Sequence, residues 1–138
     1  MDSLCVKKCL IYSRYHGKQA VKNIENSIIH MITNDITYLT PSDRCLNIFV
    51  EGLITSSNTV ELIINITPVL TKYNKKQTLK KYIRFKTTLK IDDLIKDLHK
   101  ELSWVLYYFG FTIMYVIRYF KVIEIEKVGK GYTLEYLN

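Results

Sequence analysis

Cationic side chains are concentrated in one stretch of this 138-residue chain, where they recur at a regular spacing. Residues 62–91 hold eight lysines and arginines and no acid, while the formal net charge of the whole chain is +7. Over residues 79–90, apolar and cationic residues largely alternate with a period of two, which is the pattern of a strand with one buried face. We call residues 79–90 the basic strand.

The solvent side of the basic strand combines positive charge with an aromatic ring, and both features serve nucleic-acid binding. Cations contact phosphates, and exposed rings stack on the bases of a single strand. Together with the loop before it, the basic strand offers seven candidate nucleic-acid-binding residues: Lys75, Lys76, Lys80, Tyr82, Arg84, Lys86 and Lys90. Lysine-rich strands also protect sheet edges from aggregation, so a solvated edge or a site for an acidic protein partner explains the same pattern.

A second polar cluster, formed by Arg14, His16 and Lys18, lies between the first predicted strand and the first predicted helix. Helix N-termini attract anions, so this cluster predicts an anion site or, alternatively, the centre of a small metal-independent nuclease. It is not a Walker loop, because Gly17-Lys18 lacks the preceding glycine and the following Ser or Thr. Polar residues are also common at strand ends, which gives the cluster a purely structural interpretation.

Aromatic residues lie away from the apolar stripe of the second predicted helix, and three of them form a candidate protein interface: Trp104, Tyr107 and Tyr108. Aromatic side chains are enriched in protein–protein interfaces. We therefore expect either a homodimer contact or a place within a larger complex at this surface. The alternative is that the C-terminal strands cover this side of the helix.

Cysteine and histidine are too dispersed to predict a metal site. Cys5 and Cys9 form one loose pair, whereas a zinc site normally has two close pairs of ligands, and His30 and His99 stand alone on predicted helices. Three cysteines cannot form a complete disulfide framework. We expect no metal, no cofactor and no small-molecule substrate.

Two stretches have the apolar periodicity of amphipathic helices. The first, Lys18–Asn34, carries its apolar residues on one stripe, and Asn34 is expected to form a left-handed cap. The second is expected over residues 92–109, with Asp92 as its N-cap and Gly110 ending it.

Strands that alternate apolar and polar residues must position the candidate groups. Besides the basic strand, we expect residues 4–15, Cys45–Leu53, Thr59–Thr67, one long or two short strands within Phe111–Val128, and Tyr132–Leu137. The second, third and basic strands should form an antiparallel meander, because a turn over residues 55–58 joins the second strand to the third. Glu124 and Glu126 share one strand face, where they are expected to balance lysines. No internal repeat is visible.

The order β-α-β-β-β-α-β-β predicts an α+β fold, a two-layer sandwich in which one antiparallel sheet carries two helices on one face. Length alone predicts a single domain, residues 1–138. We recognise neither a secretory signal nor an apolar span of about 20 residues, so we expect a cytoplasmic protein without a membrane partner. Few Gly, Pro and Ala residues indicate AT-rich coding, as in some viruses and archaea.

Charge distribution favours a non-enzymatic basic binding protein that contacts the backbone of RNA or DNA, as a subunit of a larger nucleic-acid-handling complex. The first alternative is a protein-interaction module, such as an accessory subunit or a viral inhibitor, that acts through the aromatic surface of the second helix. The second alternative is a small nuclease built on the cluster of Arg14, His16 and Lys18.

Overall fold

The computed structural model describes residues 3–36, 45–68, 83–119, 122–128 and 131–137, and it describes side chains within 4–36, 46–67 and 83–107. Along the chain, the helices and strands are β1 (Ser3–Ser13), α1 (Lys18–Asn34), β2 (Cys45–Ser56), β3 (Thr59–Pro68), β4 (Ile83–Lys90), α2 (Leu94–Tyr119), β5 (Val122–Val128) and β6 (Gly131–Leu137). A 3₁₀ turn, Ile91–Asp93, leads into α2. The α+β class and the predicted order of strands and helices are confirmed.

The six strands form one mixed sheet in the order β1-β2-β3-β4-β5-β6. β2, β3 and β4 form the predicted antiparallel meander, and β5 and β6 are antiparallel as well. In contrast, β1 pairs with β2 and β4 pairs with β5 in parallel, so the expectation of a purely antiparallel sheet is wrong. A helix connects the two strands of each parallel pair, and a crossover of that length returns the chain to the end of the sheet where it started.

The same arrangement of strand, helix, strand and strand occurs twice. We call β1-α1-β2-β3 the first unit and β4-α2-β5-β6 the second unit, since both have one parallel pair followed by one antiparallel pair. A buried glutamate on each helix bonds to the first strand of its own unit. Ile11 N–H donates to Glu25 Oε2 at 2.9 Å, and Thr87 Oγ1 donates to Glu101 Oε2. In both pairs the partners are 14 residues apart, a correspondence that the sequence alone did not reveal.

Alternate residues of the strands are buried in one apolar cluster together with residues of both helices. Its fully buried members include Ile28, Met31, Ile32, Leu46, Ile48, Leu62, Ile64, Ile66, Ile83, Phe85, Leu98 and Leu102. Burying each such side chain contributes about 1.5 to 3 kcal/mol. We call the sheet face whose side chains belong to this cluster the core face, and we call the other sheet face the open face. Gly52 lies on the core face, where a Cβ atom would come within 2.7 Å of Leu62 Cδ2.

The start of α2 is held by the turn between β2 and β3. Asn58 accepts two backbone hydrogen bonds there: its carbonyl oxygen from Ile91 N–H at 2.9 Å, and its Oδ1 from Asp92 N–H at 3.1 Å. Asp92 was expected to be the N-cap of α2, but it lies inside the 3₁₀ turn. The prediction was wrong because a residue distant in sequence supplies the acceptor that helix N-termini need.

The C-terminal end of α2 and the C-terminal cap of α1 differ from the prediction, whereas the bounds of α1 match it. α2 continues through Gly110 to Tyr119, so the predicted strand does not occupy residues 111–119. A glycine inside a helix costs only about 1 kcal/mol relative to alanine, and packing can offset that amount. At the end of α1, Asn34 is still helical, and Asp35 caps the helix with φ −108°, outside the left-handed region.

Among the described helices, none is both long enough and apolar enough to cross a membrane.

Candidate functional site

The alternation predicted for the basic strand is confirmed over β4. Ile83, Phe85, Thr87 and Leu89 are buried, whereas Arg84 and Lys86 are half-buried, and Thr88 and Lys90 are exposed. The cations of β4 therefore lie on the open face. Four other predicted binding residues lie outside the described residues: Lys75, Lys76, Lys80 and Tyr82.

A groove of about 890 Å³ crosses the open face from β1 to β4. The register aligns its lining residues in rows that run across the strands. One row contains Tyr12, Leu53, Glu61 and Thr88, and the next contains Leu10, Glu51, Ile63 and Lys86. A third row, which reaches the groove through Arg84, contains Lys8, Phe49, Asn65 and Arg84. The groove thus combines an apolar and aromatic side with a cationic side.

Carboxylates occupy the middle of the groove. Glu51 and Glu61 both line it, on β2 and β3, between Tyr12 and the cations of β4. Lys8 Nζ lies 2.6 Å from Glu51 Oε1, and this hydrogen bond raises the pKa of Lys8 above its usual value. Because both side chains are about half exposed, the ion pair contributes little to stability. The groove therefore presents both signs of charge.

Acidic residues of β5 stand beside the cations of β4. In the register, Glu124 lies opposite Arg84 and Glu126 lies opposite Lys86. These glutamates were expected to balance lysines, but the pairing of distant strands cannot be predicted from alternation alone. The register therefore places the positive charge of β4 within a sheet that also carries negative charge.

Next to the groove, three polar atoms are buried without a hydrogen-bond partner in the part of the chain that the structure describes: Asn47 Oδ1, Asn65 Oδ1 and Arg84 Nε. Asn65 is 9% exposed and lies directly opposite Arg84 in the register. Buried polar groups without a partner are rare in folded proteins. This group could not be predicted from the sequence, since Asn65 is an ordinary polar position in the alternation of β3.

The cluster of Arg14, His16 and Lys18 is positioned by the chain around it. Ser13 Oγ accepts hydrogen bonds from the backbone N–H groups of Tyr15 and His16, each at 3.0 Å. A ring nitrogen of His16 lies 2.9 Å from the carbonyl oxygen of Ser57, so the ring ties this connection to the turn between β2 and β3. Arg14 and Lys18 are exposed.

The side chains of Cys9, His30 and His99 make local contacts. Burial, and then the nearby Glu25, raise the pKa of the Cys9 thiol from 9.0 to about 12. His30 pairs with Asn34 at 3.0 Å, and His99 bonds to the carbonyl oxygen of Asp35 at 3.0 Å. Within the described ranges, His, Cys, Asp and Glu do not form a group of three or more that could hold a metal ion.

Trp104 and Tyr107 lie on the exposed side of α2, as their position off the apolar stripe predicts. Trp104 is 40% exposed and Tyr107 is 57% exposed, while the side chain of Tyr108 lies outside the described residues. Leu10, Tyr12 and Leu53 are further large exposed side chains, and they lie on the open face of β1 and β2. No binding role was predicted for these three residues from the sequence.

No known protein family matches this chain, and neither the curated proteins nor the solved structures compared with it show a match.

Proposed function

We propose that this protein is a non-enzymatic nucleic-acid-binding protein that contacts a phosphate backbone with the open face of β4. One observation carries the proposal: Arg84, Lys86 and Lys90 lie on the sheet face away from the core. Guanidinium and ammonium groups bind phosphate oxygens by charge-assisted hydrogen bonds. In this proposal the protein acts as one subunit of a larger nucleic-acid-handling complex.

The lysines before β4 strengthen this proposal. Five lysines occur within residues 72–81, and the chain reaches Arg84 three residues later. These lysines lie between β3 and β4 in sequence, outside the described residues. Such a density of positive charge supports association with a polyanion.

A salt series of binding to a fluorescent oligonucleotide tests the proposal. Each phosphate contact reduces log K by about 0.7 to 0.9 per unit of log salt concentration. Arg84→Gln combined with Lys86→Gln should therefore flatten the slope by about 1.4 to 1.8. The matched control is Lys96→Gln with Lys100→Gln, which removes the same charge from exposed positions on α2.

The two double variants separate specific contacts from net charge. Equal slopes for both would show that binding follows the overall charge of +7 rather than β4. If the wild-type protein does not bind RNA or DNA even at low salt, the proposal is wrong.

A second candidate function is protein–protein interaction through α2, which the exposure of Trp104 and Tyr107 favours. Aromatic side chains provide much of the binding energy in protein interfaces. If the chain forms a homodimer here, Trp104→Ala with Tyr107→Ala should weaken it roughly tenfold or more in light scattering over a concentration series. Tyr15→Ala, which changes an equally exposed ring elsewhere, should leave it unchanged. A wild-type monomer at every concentration would contradict the dimer.

We also infer that the chain forms a single two-layer domain in which both helices cover the core face. The buried cluster, which contains residues of α1, α2 and four strands, supports this arrangement. The free thiols of Cys5 and Cys9 fit a reducing compartment, and the proposal places the protein in the cytoplasm.

A further inference from the structure

The groove on the open face has two chemically different sides. On β1 and β2, Tyr12 is 61% exposed and Leu53 is 50% exposed, and the two are direct neighbours in the register. On β4, Arg84 and Lys86 line the same groove. Three inter-strand spacings of about 4.8 Å separate β1 from β4, so the ring and the cations are roughly 14 Å apart.

The carboxylates between these two sides determine which polyanion fits. Glu61 would repel phosphates that lie across the middle of the groove, whereas Lys8 balances the charge of Glu51. Nucleobases carry no net charge, and their amino groups donate hydrogen bonds that carboxylates accept. A ligand that places bases over β2 and β3 and phosphates over β4 therefore matches the charges of the groove.

The width of the face disfavours a duplex. The major groove of DNA is about 12 Å wide and admits a helix or a two-stranded ribbon. The groove residues come from four neighbouring strands, which is too wide a surface to enter it. A duplex could contact this face only with its phosphates, and some of these would lie against Glu61.

We propose that the groove binds single-stranded nucleic acid, with a base stacked on Tyr12 and phosphates on Arg84 and Lys86. This inference rests on the proposed function and adds the strandedness and the stacking residue. Base stacking on an aromatic side chain tolerates every base, because each base has a π face. Binding at Tyr12 is therefore expected to depend on the presence of bases more than on their sequence.

Fluorescence anisotropy with three probes tests this proposal: a single-stranded oligonucleotide, the duplex of the same sequence, and inorganic polyphosphate as a polyanion without bases. The wild-type protein should bind the single strand at least tenfold more tightly than either other probe. Tyr12→Ala should weaken single-strand binding roughly fivefold to hundredfold, since stacking contributes about 1 to 3 kcal/mol per base. Tyr12→Phe keeps the ring and should retain the affinity.

The matched control is Tyr15→Ala, because Tyr15 is 57% exposed and does not line the groove. Circular dichroism of each variant checks that the fold is kept. Equal affinity for all three probes, or a single-strand preference that Tyr12→Ala leaves unchanged, would overturn this inference while the proposed function stands. If none of the three probes binds at low salt, the proposed function fails as well.

Discussion

At the scale of single residues, Cys9 shows how burial makes a thiol less reactive. Its Sγ lies 3.8 Å from the carbonyl oxygen of Glu25, and its pKa is raised to about 12, first by burial and then by the Glu25 charge. A thiol is nucleophilic, and binds metal, as the thiolate. Cys9 is therefore a packing residue at neutral pH.

We expect Cys9 to react with iodoacetamide far more slowly in the folded protein than in urea at pH 8. A variant with Cys5→Ser and Cys45→Ser leaves Cys9 as its sole thiol, and mass spectrometry measures the labelling. The native state holds the thiol proton more tightly than the unfolded state, where the pKa is about 9. The contribution of Cys9 to stability is therefore full below pH 9 and is lost as the pH rises towards 12.

Equal labelling rates with and without urea would contradict this account of Cys9. Because Tyr and Lys also titrate above pH 10, the fall in stability at high pH should be compared with that of Cys9→Ala, in which it should be smaller.

The sequence predicts the face of the sheet on which a side chain lies, but it does not predict which side chains of other strands lie next to it. Alternation correctly predicted that Arg84 and Lys86 lie on one face of the sheet and that Phe85 lies on the other, buried face. Which carboxylates stand beside them depends on the register of β3 and β5, and residues on separate strands carry no local signal of pairing. For the same reason, Tyr12 and Glu61 were missed as parts of a common groove.

At the scale of helices and strands, Asn58 connects the β2–β3 turn to the start of α2. Asn58→Gly removes the Oδ1 acceptor of Asp92 N–H and keeps the carbonyl that binds Ile91 N–H. We expect the free energy of unfolding to fall by about 0.5 to 1.5 kcal/mol, the net contribution of one hydrogen bond. Urea denaturation followed by circular dichroism measures this change.

Asn58→Asp is the matched variant, since it keeps an acceptor and adds negative charge near a helix N-terminus, where such charge is favourable. It should retain the stability of the wild type. If Asn58→Gly is as stable as Asn58→Asp, the side chain of Asn58 does not support the start of α2.

The order of the helices and strands was predicted correctly, whereas two of their properties required tertiary information. The two parallel pairs arise because α1 and α2 each cross between strands that are neighbours in the sheet. The continuation of α2 past Gly110 was missed because residues 111–119 are β-branched and aromatic, which favours strands when context is ignored.

At the scale of the whole molecule, the groove crosses the seam where the two units meet. Tyr12, Glu51 and Glu61 belong to the first unit, whereas Arg84 and Lys86 belong to the second unit. Hydrogen bonds between β3 and β4 form this seam. The candidate site thus exists only when the two units are joined in one sheet.

A ligand that contacts both units across this seam would stabilise their association. Its binding free energy would add to the stability of the pairing between β3 and β4. The reason is that a ligand that binds only the joined sheet lowers the population of states in which the two units have separated. The fraction of protein with bound ligand and the stability of the joined sheet would then increase together. The affinity for the ligand would therefore report how stably the two units are joined.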